Sequence, residues 1–99
     1  INDATLQDAY DSGINGYADI ITTGCAAPGA ILEQCSVEFL SVFDRADIVI
    51  SKGQGNFEAL SDCRRTVFFL LKAKCTMISG RLKVNLNDYV FKRHRTEMI

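Results

Sequence analysis

Two short segments carry residues whose types and order could do chemistry. Asn2-Asp3-Ala4-Thr5 sets a carboxylate just ahead of a threonine that can cap a helix. Ser51-Lys52-Gly53-Gln54-Gly55-Asn56-Phe57-Glu58 sets a cation ahead of two glycines. The oxygens of an aspartate such as Asp3 suit a hard divalent ion, magnesium or manganese. Lys52 suits a phosphate: it supplies charge, Gly53 and Gly55 let backbone N–H groups approach, and Asn56 and Glu58 offer directional hydrogen bonds to a substrate. Plainer readings stand beside these, with Asp3 as a helix N-cap, Lys52 as a solvated loop lysine and Asp8 as an acid favoured by the helix dipole. Nucleotide motifs are absent, because Glu58 stands where a dinucleotide fingerprint needs its third glycine and no Gly-Lys-Ser/Thr loop occurs.

Such groups work when strand ends and helix starts converge on them, as at the carboxyl edge of an open α/β sheet. Residues 1–3 read as the end of a buried strand. From Thr5, the spacing of Leu6, Ala9 and Tyr10 predicts a short helix that Gly13 and Gly16 stop. Residues 18–22 form a β-prone run that feeds a loop holding the only proline, Pro28. Leu32, Cys35, Phe39, Phe43 and Ala46 step by 3, 4, 4 and 3, which predicts one apolar helical stripe with a break near Ser36, a good N-cap.

The branched run Ile48-Val49-Ile50 reads as a parallel strand covered on both faces, ending at Lys52-Gly53. A helical turn over residues 57–60, a strand over 66–71, a helix over 75–82 and a last strand over 89–91 complete the alternation. This pattern predicts βαβ units, and so an α/β fold: a three-layer α/β/α arrangement with a mostly parallel sheet, residues 1–99 being part of one domain.

Composition narrows the partners. Eleven basic and twelve acidic residues leave a net charge of −1, which gives no general attraction to nucleic acid or to an anionic membrane. The cluster Lys92-Arg93-His94-Arg95 lacks interleaved aromatics and reads as a solvated tail. No apolar run approaches the roughly 20 residues a membrane helix needs, and no leader pattern opens the chain, so a cytoplasmic location is expected. Cys25, Cys35, Cys63 and Cys75 lie 10, 28 and 12 positions apart, without zinc-finger spacing, and are expected as free thiols.

The ordered pair Asn2-Asp3-Ala4-Thr5-x-x-Asp8 and Asp47-Ile48-Val49-Ile50-Ser51-Lys52-Gly53-Gln54-Gly55-Asn56-Phe57-Glu58-Ala59-Leu60 resembles the C-terminal part of the damage-control metal-dependent phosphatases, first catalogued as a domain of unknown function. Thr23-Gly24, Pro28-Gly29, Phe39 and Phe69-Leu70-Leu71-Lys72-Ala73-Lys74-Cys75 follow in the same order. The resemblance implies an enzyme that removes phosphate from small phosphorylated metabolites with a divalent metal as cofactor. It implies Asp3 as a metal ligand, Asp3 and Lys52 as catalytic residues, and Lys52, Gly53, Asn56 and Glu58 around the phosphate. The family's other acidic segment, Asp-Asn-Ala-Gly-Glu-like, has no counterpart here. A missing N-terminal half of the domain, or a partner chain, is expected to supply it, and the isolated chain is expected to be inactive. The alternative is a non-catalytic binding module that retains the fold.

Overall fold

Capping side chains set where the first helices begin. In the computed structural model, which describes residues 3–94, Thr5 opens helix α1 (Leu6–Asp11) through a capping box. Its hydroxyl accepts from Asp8 N–H at 3.2 Å and the Asp8 carboxylate accepts from Thr5 N–H at 2.8 Å. The cap is therefore Thr5 and not Asp3, and Asp8 is occupied with it. Ser36 caps α2 (Val37–Arg45), accepting from Phe39 N–H at 3.1 Å, and a 3₁₀ turn at Leu32–Gln34 precedes it. The expected break near Ser36 is thus a true boundary.

Three strands form one sheet in the order β1 (Ile50–Lys52), β2 (Val67–Lys72), β3 (Tyr89–His94). β1 and β2 run parallel across α3 (Gln54–Leu60), the expected βαβ unit. β2 and β3 are antiparallel across α4 (Thr76–Leu82), so the sheet is mixed. The reversal has local causes. Lys83 takes a left-handed conformation with φ 56° and ends α4, and the turn at residues 85–88 is pinned to the end of β2. There Asn87 N–H donates to Ala73 O at 2.7 Å and Ala73 N–H donates to Asp88 O at 2.8 Å. The chain is returned beside β2 and runs back along it.

Burial alternates along β2 as a pleat demands. Val67, Phe69 and Leu71 are buried with Phe57 and Leu60 of α3, Ile78 of α4 and Phe43 of α2, and the Phe57 and Phe69 rings meet edge to face at 5.0 Å. Each such side chain contributes about 1.5–3 kcal/mol by leaving water. The other face carries Ile50, Phe68, Leu70, Tyr89 and Phe91, of which Ile50 is 62% and Phe91 62% exposed. The expectation of a strand covered on both faces therefore fails at β1 among the described residues, where Ile48 is also exposed.

Two further expectations change. Residues 18–22 form no strand: the run is mostly exposed, and β-propensity without a ladder partner does not make one. The strand end expected at residues 1–3 falls largely on Ile1 and Asn2, which lie outside the described residues, as does Arg95 of the basic cluster. His94 is not a solvated tail residue. Its Nε2 lies 2.6 Å from Ser61 O, so that nitrogen carries the proton and donates.

Candidate functional site

The tip of β1 is built around Gly53. Its φ of 94° and ψ of 157° are open to glycine and cost other residues about 1–3 kcal/mol. Its N–H donates to Leu70 O at 2.9 Å, which ties the tip to β2. Immediately before it, Lys52 ends the strand with its side chain exposed. The turn is shorter than the sequence pattern predicts, because α3 starts at Gln54 and so contains Gly55, Asn56 and Glu58.

Asn56 is a clip between three segments. Its Nδ2 donates to Lys52 O at 2.9 Å, and its Oδ1 accepts from Ala30 N–H at 2.8 Å. The side chain thus fixes the loop around Pro28 to the strand tip, with spare hydrogen-bonding capacity left for a ligand. Gly29 makes the approach possible. A Cβ there would lie 2.4 Å from Gly55 O, and its φ of 93° already disfavours any side chain. Upstream, Thr23 shapes the same loop, its Oγ1 accepting from Cys25 N–H at 3.1 Å, while Ser36 N–H donates to Thr23 O at 2.8 Å.

These contacts leave an open cleft of about 480 Å³ lined by Asp3, Thr5, Thr23, Cys25, Lys52 and Asn56 among others. Asp3 and Lys52, almost fifty residues apart in sequence, therefore share one concavity with Asn56. Glu58 does not line it. Two residues past Asn56, it sits about 200° further round the helix and is exposed. Gly53 lines a neighbouring cleft that also includes Lys52. The loop residues Thr23 and Cys25 were not singled out from sequence as site residues, where the signal was only a turn, Thr23-Gly24 and Pro28-Gly29.

Electrostatics near the cleft are shaped by hydrogen bonds and burial. The Thr5 N–H and hydroxyl hold the Asp8 carboxyl below its ordinary range. Burial, followed by the neighbouring Cys25, pushes the Cys35 thiol up, and all four cysteines are free. The Cys35 thiol donates to Ile31 O at 3.3 Å.

A divalent ion fits this chain only in part. The cleft lining includes one carboxylate, Asp3, and no group of three or more His, Cys, Asp or Glu able to hold an ion is gathered among the described residues. Magnesium takes about six oxygen ligands in near-octahedral geometry, so these residues do not complete a site alone.

Residues 1–90 match the model of the damage-control phosphatase ARMT1-like domain. A damage-control phosphatase of Pyrococcus horikoshii is 41% identical over an alignment that covers 99% of this chain and 34% of that protein. A damage-control phosphatase of Archaeoglobus fulgidus is 36% identical over 93% of this chain and 33% of its own length. An uncharacterised protein of Methanocaldococcus jannaschii is 43% identical over 91% of this chain and 31% of its own. The crystal structure of a P. horikoshii protein described as DUF89 family superposes with a TM-score of 0.90 at 42% identity, covering 95% of this chain and 33% of that one. The chain spans about a third of the length of these relatives. With the family model matched over residues 1–90 and a member's structure superposing at 42% identity, the chain belongs to the damage-control phosphatase ARMT1-like domain family.

Proposed function

We propose that this chain is the phosphate-side part of a cytoplasmic, divalent-metal-dependent phosphatase that hydrolyses small phosphorylated metabolites, and that it is inactive by itself. One observation carries this reading: Asp3, Lys52 and Asn56 line a single cleft beside the carboxyl end of β1. That edge is where ligands gather in open α/β sheets.

Lys52 places a positive charge where a phosphoryl group gains negative charge during transfer. Asn56, held at both ends of its amide, keeps the loop and the lysine-bearing tip in register, so Lys52 acts from a fixed base. Asp3 would be one oxygen ligand of the metal, with the rest of the domain or a partner chain supplying the others. When bound, the ion supplies polarisation of the phosphoryl oxygens. Two relatives of this chain are named damage-control phosphatases, which supports a phosphatase activity for the longer polypeptide.

The test is release of inorganic phosphate from a panel of small phosphate monoesters by the longer polypeptide containing this chain. Release that requires magnesium or manganese and stops on chelation is expected. No release with either metal would leave a binding module that retains the fold.

A further inference from the structure

A second cleft, of about 600 Å³, opens beside the first and shares Lys52 with it. Its lining adds Lys72 and Lys74 and, among the described residues, contains no carboxylate. The three lysines sit at the carboxyl ends of the two parallel strands, β1 and β2, or just beyond. Their backbone is tied together: Gln54 Oε1 accepts from Lys74 N–H at 3.2 Å, and Gly53 N–H holds Leu70 O. The Lys72 ammonium lies 5.5 Å from the centre of the exposed Tyr89 ring, its cross-strand neighbour, which braces it without neutralising its charge.

Scattered surface lysines need no function. Three cations around one concavity without a carboxylate in its lining repel one another, and an anion seated among them relieves that repulsion. Because Lys52 borders both clefts, a molecule with one phosphate beside Lys52, Asp3 and Asn56 can reach the second cleft with another acidic group.

We propose that the Lys52–Lys72–Lys74 cleft binds a second phosphate of the substrate, so that the complete enzyme favours small bisphosphorylated metabolites over monophosphates. This rests on the phosphatase reading for the first cleft and adds a substrate class to it.

The experiment compares an alkanediol bisphosphate with the matching monophosphate, using the longer polypeptide and its Lys72→Gln/Lys74→Gln variant, with folding checked by thermal unfolding. The ratio of kcat/KM for bisphosphate over monophosphate is expected to fall by roughly tenfold in the variant, with the loss in KM, as expected when two charge-assisted contacts to one group go. An unchanged ratio overturns the proposal. Binding of methylene bisphosphonate, followed by amide chemical shifts, separates the two readings. If neither substrate is hydrolysed, the phosphatase reading falls, while bisphosphonate-induced shifts at Lys72 and Lys74 that vanish in the variant still support the anion site. Shifts absent from these residues overturn it.

Discussion

Lys52 and Gly29 show two different ways in which single residues serve the cleft. Lys52 is exposed at a strand tip and contributes little to packing, so Lys52→Ala in the complete protein is expected to lower turnover by at least tenfold while moving the unfolding midpoint little. Unchanged turnover would return it to an ordinary surface lysine. Gly29 serves only by being small. Gly29→Ala puts a methyl against Gly55 O as well as imposing a strained φ, whereas Gly53→Ala meets open space and bears only the backbone penalty. A loss of more than about 2 kcal/mol is expected for Gly29→Ala and a smaller one for Gly53→Ala, read from denaturant midpoints. Equal losses would show that the close packing of the loop on α3 is not what Gly29 permits. None of this was legible in the sequence beyond the Pro28-Gly29 turn signal, because the partner atoms lie 26 residues away.

Elements whose ends are set by neighbours in sequence were legible, and those set by distant partners were not. Thr5 and Ser36 cap helices through bonds spanning three residues, and both boundaries follow from the local pattern. The antiparallel return of β3 depends on a turn docking onto Ala73, and Arg65 closes α2 from afar. Its guanidinium donates to Phe43 O and to Ala46 O, the latter at 2.8 Å, placing a cation at the helix C-terminus. No spacing rule reveals such a contact. The capping box of α1 carries a pH dependence with a definite sign. Asp8 has its folded pKa depressed by Thr5, so its contribution is present above the usual carboxylate range and is lost as pH falls through the lowered folded value. Acid titration is expected to move the Thr5 amide resonance below about pH 3.9, and Asp8→Asn to abolish that movement. A Thr5 resonance that is flat to acid in the parent would refute the box.

At the scale of the whole molecule, an apolar sheet face and a single cleft carboxylate point the same way. Away from the second cleft, Ile48, Ile50 and Phe91 stay exposed as apolar surface that a complete α/β layer would cover, and the relatives are about three times as long as this chain. Among the described residues no helix is long and apolar enough to cross a membrane. The last prediction follows: the 99-residue chain alone shows no metal-dependent phosphatase activity, while the longer polypeptide does and loses it on Asp3→Asn. One exposed carboxylate with water for its other ligands binds magnesium weakly and leaves the reacting phosphate unoriented. Since Thr5 and Asp8 cap α1, the substitution leaves the cap in place and removes only charge, so folding should persist. Phosphate release, metal titration by calorimetry and thermal unfolding of parent and variant decide the matter. Robust metal-stimulated hydrolysis by the short chain would show that these residues build a working site alone, and full activity with unchanged metal affinity in the Asp3→Asn parent would remove Asp3 from the ligand set.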